Sequence, residues 1–292
     1  MTPKTVLITG CSAGGIGSAL AEVFQKRGIH VFATARDLSK MSHLQTLSHV
    51  TLLKLDPTSG PSVQAAVEDV KRQTGGTLDF LVNNAGQTII MPTLDFDIDT
   101  AKSMYEINVW GMVRVTQAFA PLVITAKGTI INISSIAPCV HTPWMGELCF
   151  KPLQVRHIPD ERKGLYTGSK AAVTAITDTL RLELAPFGVK VVTVLTGAVS
   201  TNTLSNGVNF ELPAHSIYKS IEKEIAARAR GEDGTPRMEP SVYAEKVVAD
   251  ILQGANWQVW RGGYASIVRF TSNWFPASIS VSLPHTICSR HY

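Results

Sequence analysis

No stretch of this sequence approaches the roughly 20 consecutive apolar residues that a membrane-spanning helix needs, so no spanning segment is expected. Cysteine is scarce. The four present, Cys11, Cys139, Cys149 and Cys288, show neither CxxC nor any other metal-ligand spacing. That scatter argues against a disulfide framework and a metal site, and for free thiols in a reducing compartment. Strong charge of either sign is also missing: a formal net charge of +4 over 292 residues gives no electrostatic footprint for nucleic acid, and no such partner is expected. The opening MTPKTVLITG enters a β-branched run within a few residues, which leaves no room for a charged leader and an apolar signal core. The expected location is intracellular and cytoplasmic. There is no internal repeat and no low-complexity tract.

What the chain does have is length and a regular alternation. A sequence of 292 residues, 45% hydrophobic and 17% charged, suits one large domain with a substantial core. Short runs, TVLIT, HVFATA, VTLLKL, LDFLVNNAG, GTIINIS and VKVVTVLTG, alternate with longer segments of helical periodicity. Strands that are apolar on both faces and separated by helices imply a parallel sheet covered on both sides. The expected architecture is α/β, a single doubly wound Rossmann-type domain over residues 1–256 with a short C-terminal extension at 257–292. Two successive helices are expected at 97–108 and 109–126, and a long one after Gly164.

Directly after the first strand comes TGCSAGGIG, residues 9–17, followed by an apolar-periodic helix. Glycines there let the backbone and the helix N-terminus approach a pyrophosphate, and Gly10, Gly15, Ile16 and Gly17 are assigned to that task. About 20 residues on, where an NAD site offers an acidic side chain to the ribose hydroxyls, stand Ala35 and Arg36. A guanidinium in that place favours a 2′-phosphate, and hence NADP(H), unless Arg36 is simply a solvated surface residue. Asp37 beside it either pairs with Arg36 or repels the phosphate. Asp56, at the end of the third strand, either accepts from the adenine amine or caps the next helix.

The stretch YTGSK opens the long helix, and its four-residue spacing sets Tyr166 and Lys170 on one face. A neighbouring ammonium stabilises a phenolate, which would bring Tyr166 toward the range of a general acid or base. Three further motifs accompany the pair: LVNNAG at 81–86, INVWG at 107–111 and INISS at 131–135, two of them at strand ends, where ligands bind in this architecture.

With these five motifs in order, the sequence resembles the classical short-chain dehydrogenase/reductase family over residues 5–201. The resemblance implies that Ser135 holds the substrate oxygen, with Ser134 as the neighbouring alternative, that Tyr166 exchanges its proton, and that Lys170 lowers the tyrosine pKa and binds the nicotinamide ribose. It implies that Asn108 ties Lys170 to a water chain, and that Asn83, Ala85 and Gly86 line the adenine-ribose side and brace the sheet. After the sixth strand the family has Pro-Gly and then a threonine at the nicotinamide amide. Here TGAVST, residues 196–201, keeps Gly197, sets Val199 and Thr201 among the implied cofactor-binding residues, and has Thr196 where proline would fix φ.

The wording TGCSAGGIG, FATARD and WRGG is most similar to the branch containing fungal 1-acyl-dihydroxyacetone-phosphate reductases, and borders hydroxysteroid and polyketide-tailoring reductases. The implied activity is NADPH-dependent reduction of a lipophilic ketone; the alternatives are a tailoring ketoreductase of polyketide or terpenoid metabolism, and a cofactor-binding protein without activity. The family commonly forms dimers or tetramers, so a homo-oligomer is expected.

Two regions break the pattern. Ser135 and Tyr166 stand 31 positions apart, where the family has about a dozen, and the surplus of about 18 reads as residues 147–164. It is either a substrate-mouth loop or a retained intron in a gene prediction. Beyond Trp257, Tyr264, Ile267, Val268, Phe270, Trp274 and Phe275 fall roughly on one helical face, with Pro276 limiting its length. Such a face serves as core, as an oligomer contact, or as a peripheral contact with endoplasmic reticulum or lipid droplets.

Overall fold

The computed structural model describes residues 3–139, 164–202, 210–232 and 234–274. Seven strands, β1 (Thr5–Thr9), β2 (His30–Ala35), β3 (Val50–Lys54), β4 (Phe80–Asn83), β5 (Thr129–Ile133), β6 (Lys190–Thr196) and β7 (Gln258–Arg261), form one sheet in the order β3-β2-β1-β4-β5-β6-β7. Every pair is parallel, with Val6 opposite Phe80 and Ile8 opposite Val82 where β1 meets β4. The helices are α1 (Ile16–Lys26), α2 (Gly60–Thr74), α3 (Ile98–Tyr105), α4 (Met112–Ala126), α5 (Gly164–Leu184), α6 (Glu222–Ala229), α7 (Pro240–Leu252) and α8 (Ala265–Trp274).

The sheet is coated on both faces because its strands carry apolar side chains on both. Val6 and Ile8 of β1 join a core formed with α1 and α7, including Leu20, Phe24, Tyr243 and Val247. Leu7, between them, points the other way into a core with Val67 of α2 and Val115, Phe119 and Leu122 of α4. Strand order reverses between β1 and β4, so the loops leaving their carboxyl ends diverge and open a crevice. The doubly wound domain expected from the alternation is what the chain forms.

Three features differ from the sequence reading. The two helices expected at 97–108 and 109–126 are one helical run, Ile98–Ala126, joined by a π-helical segment at Glu106–Gly111. Among the described residues it is the one helix long and apolar enough to cross a membrane, but Val115, Phe119, Leu122 and Val123 spend that apolar surface on the sheet. Secondly, the boundary at 256 falls just before β7, which pairs with β6 and belongs to the sheet; a four-residue edge strand with two buried positions is too short to announce itself by alternation. Thirdly, the single apolar face expected beyond Trp257 is divided: Ala265 and Val268 are buried against Leu195 and Trp260, while Ile267, Phe270 and Trp274 are exposed. Phe275 and Pro276, the surplus residues 147–163, Cys149 and Cys288 lie outside the described residues; Cys11 and Cys139 are free thiols.

The loop after β6 shows why WRGG is written as it is. Gly197 donates its N–H to Arg261 O at 2.8 Å, and Ala198 donates to Gly263 O at 3.0 Å. A Cβ on Gly197 would fall 2.0 Å from Gly263 O, and Gly262 turns with φ +103°. The two backbones lie on each other with no room for a side chain. Next to this contact, Thr196, standing where the family pattern has proline, has its Oγ1 at 2.7 Å from the hydroxyl of Tyr243, and both side chains are buried. The loop is therefore held by a buried hydrogen bond to α7 in place of a fixed φ.

Tyr243→Phe is expected to cost about 1 kcal/mol, because it leaves the buried Thr196 hydroxyl with only its long 3.5 Å bond to Val194 O. Urea unfolding of Tyr243→Phe, Thr196→Val and the double variant checks this: the double should lose less than the sum of the singles, and additive losses would remove the pair from the account.

Candidate active site

The crevice between β1 and β4 is closed down by glycines. A Cβ on Gly17 would lie 2.4 Å from Gly10 O and 2.6 Å from Asn84 Nδ2, and one on Gly10 would lie 3.0 Å from Ala85 Cα. Into the space so kept, Asn84 donates from Nδ2 to Thr9 O (2.8 Å) and Gly10 O (3.1 Å). The N–H groups of Asn84 and Ala85 both donate to Thr9 Oγ1 at 3.0 Å. The first-turn N–H groups of α1 are left facing out along the helix axis, a ready anion site. Gly15 is the N-cap of α1 with an ordinary negative φ. Ile16 packs its side chain on the core, so its contribution to a cofactor is its backbone. Gly14, not singled out in the sequence, is the loop residue at φ +72°, and a Cβ there would meet the Asn202 side chain.

At the end of β2, Arg36 is exposed and has no ion-pair partner among the described residues. Asp37 does not pair with it among the described residues. Its Oδ1 accepts from Ser39 N at 3.0 Å and Ser39 Oγ at 2.7 Å, and these bonds hold its carboxyl below the usual range. Asp56 Oδ1 accepts from Thr58 N and Oγ1, and the cap of α2 is Ser59. Capping therefore falls to the serine, and the second carboxylate oxygen of Asp56 is left for a ligand.

The chemical centre lies where β4, β5 and α5 meet. Ser134 faces α5, with Oγ donating to Lys170 O at 3.0 Å and lying 2.8 Å from Thr174 Oγ1. Ser134 is thus spent on α5, while Ser135 Oγ accepts from Ala137 N at 3.1 Å and keeps its own proton to donate, which favours Ser135 of the two. Tyr166 packs beside Phe96, Met104, Ile89 and Leu165. Burial pushes its phenol up from the ordinary value, and hydrogen bonds from Thr88 and Ser135 pull it back. Lys170 is 7% exposed, donates from Nζ to Ile133 O at 2.9 Å, and is pushed down to about 8 by burial. The Lys170 ammonium is thus tied to the Ile133 carbonyl, one turn along α5 from Tyr166.

Behind these groups the π-helical segment presents Asn108 inward, 2% exposed. Such segments shift the side-chain register within a helix and recur at functional sites. Asn108 Oδ1 accepts from Gln87 N at 2.7 Å, and Nδ2 donates to Gln87 O at 2.9 Å and Ser169 Oγ at 3.1 Å. Gly86 sits beside it; a Cβ there would lie 3.2 Å from Asn108 Oδ1 and 3.7 Å from Lys170 Nζ.

Of the implied cofactor residues, Asn83 has its side chain elsewhere and Val199 is narrowed to its backbone. Asn83 points away from the crevice, donating from Nδ2 to Thr116 Oγ1 and Asn132 Oδ1 inside the core. It braces the sheet, and Asn84 is the neighbour that meets the glycine loop. Val199 buries its side chain in the core and pairs with Met238, so it offers a ligand its backbone alone. Thr201 is half-buried on a loop whose next residue, Asn202, donates to Ala13 O at 3.4 Å, which brings this segment against the glycine loop. Sequence reasoning passed over Asn84, Gly14 and Thr88. The doubled Asn in NNAG and the doubled Gly in AGGIG were the available signals for the first two; a lone threonine gave none for the third.

The family model for short chain dehydrogenases matches residues 4–147 and 156–211. The chain belongs to this family. Short-chain dehydrogenase PC-15 of Penicillium crustosum is 49% identical over 266 residues, 91% of each chain. The NADPH-dependent 1-acyldihydroxyacetone phosphate reductase of Schizosaccharomyces pombe is 35% identical, over 92% of this chain and 89% of its own. Among solved structures, a short-chain dehydrogenase from Streptomyces avermitilis superposes with TM-score 0.74 at 25% identity, covering 91% of this chain and 90% of that one. One from Burkholderia cenocepacia, in complex with NADP, gives 0.71 at 24%, covering 95% of both. The break in the family match, between 147 and 156, falls inside the surplus read at 147–164. The family match continues on both sides of that break.

Because the folded value of Lys170 lies below the ordinary 10.5, folding at lower pH buries a charge. The sign follows: between about 8 and 10.5 the unfolded chain holds more protons, so this group adds stability as pH rises through that window, on the order of 3 kcal/mol in full. Urea midpoints from about pH 7 to about pH 10 should climb more steeply in the wild type than in Lys170→Met; parallel curves would contradict the burial account.

Proposed function

We propose that this short-chain dehydrogenase reduces a lipophilic ketone with NADPH, 1-acyl-dihydroxyacetone phosphate being the first substrate to test. The observation that carries the reading is the joint placement of Ser135, Tyr166 and Lys170 beside a glycine cradle that ends, across β2, at an unpaired Arg36. The residues fit a dinucleotide: no Cβ fits at Gly17, the N-terminus of α1 is open, and Arg36 is exposed at the end of β2 where a 2′-phosphate would lie. When bound, the cofactor supplies a hydride.

Everything else falls to the chain. The Ser135 hydroxyl, with its oxygen already accepting from Ala137 N–H, directs its own proton to the carbonyl oxygen. Tyr166 gives that oxygen a proton as negative charge develops on it. Lys170, buried and cationic below about pH 8, sets a positive charge under the same region. Gln87 and Gly86, locked by Asn108, form the wall behind it. The Schizosaccharomyces pombe relative supports both the cofactor and the substrate class. A tailoring ketoreductase acting on a polyketide or terpenoid ketone is the second reading of the substrate, with the chemistry unchanged.

Purified full-length protein should oxidise NADPH with at least one long-chain ketone, and Tyr166→Phe should lower kcat by about 10²- to 10⁴-fold while still binding NADPH. Arg36→Leu should cut the preference for NADPH over NADH by about 10- to 100-fold. Binding of NADPH without turnover of any ketone by the wild type would instead establish the inactive, cofactor-binding reading.

A further inference from the structure

We propose that His43 is a positioning residue for the 2′-phosphate end of the cofactor: its bond to Ser18 fastens the segment that follows Arg36 to the first turn of α1. The proposal rests on the reading of Arg36 as the residue that meets the 2′-phosphate of NADPH. His43 Nε2 lies 2.6 Å from Ser18 Oγ, a contact between residues 25 positions apart.

The segment is built as a bridge. After exposed Arg36, Asp37 caps a 3₁₀ helix, Leu38–Leu44, by accepting from Ser39 N at 3.0 Å. Met41 and Leu44 are fully buried in the core to which α1 contributes Leu20 and Phe24. Lys40 O accepts from Ala13 N of the glycine loop at 2.9 Å. Ser18 is the third residue of α1 and 4% exposed, and its backbone N–H is one of the first-turn donors that face out along the helix axis. A single residue thus presents its N–H to an anion and its hydroxyl to the segment after Arg36.

A guanidinium that grips a phosphate bidentately needs a fixed orientation. The sheet fixes Arg36 on one side only, because β2 ends at Ala35. On the other side the 3₁₀ helix must supply the constraint. Its apolar contacts through Met41 and Leu44 are non-directional, and the Lys40 carbonyl holds it at one point. The His43–Ser18 bond is directional and acts three residues further on, so the two together stop the helix from rocking. Without the imidazole, the buried Ser18 hydroxyl loses the partner the structure gives it, and the helix shifts to let that hydroxyl find water. The glycine loop keeps its own bonds from Asn84 to Thr9 O and Gly10 O, so adenosine and its 5′-phosphate are spared and the loss falls on the 2′-phosphate.

The readout is the ratio of affinities for 2′,5′-ADP and 5′-AMP, fragments that differ by the 2′-phosphate alone, measured by calorimetry on the full-length protein without turnover. His43→Ala should lower that ratio about 3- to 10-fold while 5′-AMP binds as it does to the wild type. His43→Gln, whose amide nitrogen reaches the place of Nε2, should keep the wild-type ratio. Ser18→Ala should lower the ratio as His43→Ala does, and the double variant should lose no more than either single. An unchanged ratio in His43→Ala overturns the proposal. So does an equal fall in both affinities, the mark of a merely structural bond, and so do additive losses in the double variant. A wild type that binds the two fragments alike overturns the reading of Arg36 and the proposal with it, whereas a wild-type preference that survives in His43→Ala overturns the proposal alone.

Discussion

The site depends on two backbones being allowed to touch. Where β1 and β4 end, the carbonyls of Thr9 and Gly10 meet the side chain of Asn84 across a gap in which Gly17 has no Cβ. A methyl there would sit inside the van der Waals radius of both partners. The glycine of α1 and the asparagine after β4 are therefore one device, written in two motifs more than sixty residues apart. This contact sets the depth of the crevice, and with it the distance from the α1 N-terminus to the residues after β4. Since Gln87 and Thr88 follow immediately, the same contact fixes where the chemistry can occur.

Beneath the crevice the protein buries more polar groups than a core of this kind needs for stability. Asn83, Asn132, Thr116 and Thr177 form a connected set linking β4, β5, α4 and α5, and Ser134 joins Thr174 and the Lys170 carbonyl. Buried amides and hydroxyls cost free energy unless paired, and paired they specify one arrangement of the elements that carry them. Here those elements are the ones that deliver Ser135, Tyr166 and Lys170. The π-helical segment does the same for Asn108, turning a residue inward that a regular helix would place differently, and holding the loop after β4 by both groups of one peptide residue.

The sheet, the glycine loop and the Tyr166–Lys170 face were legible in the sequence because each is a repeated or spaced pattern: apolar runs between helices, glycines clustered at a strand end, a four-residue step. What was not legible lacks a period. β7 is four residues at an edge, and the π-helical segment is indistinguishable by composition from the helices it joins. Asn83 and Asn84 are chemically identical; which one meets the glycine loop depends on the side a strand residue faces, and the two face opposite ways. Ser134 and Ser135 divide on the same alternation. Thr196 read as a missing constraint, because its partner Tyr243 is 47 positions away on a helix whose buried face only the fold reveals.

Burial complicates the simplest sequence argument about Tyr166 and Lys170. A tyrosine one helical turn from a lysine suggests an ammonium that lowers a phenol. Burial acts on the two in opposite directions, raising Tyr166 and lowering Lys170, so in each case it favours the neutral form. The ammonium is itself costly to keep charged, and it donates to the Ile133 carbonyl. Short-range donors do not suffer this compromise. A hydroxyl carries no net charge to desolvate, yet its O–H bond gives a developing phenolate a charge-assisted hydrogen bond, stronger than one between neutral groups.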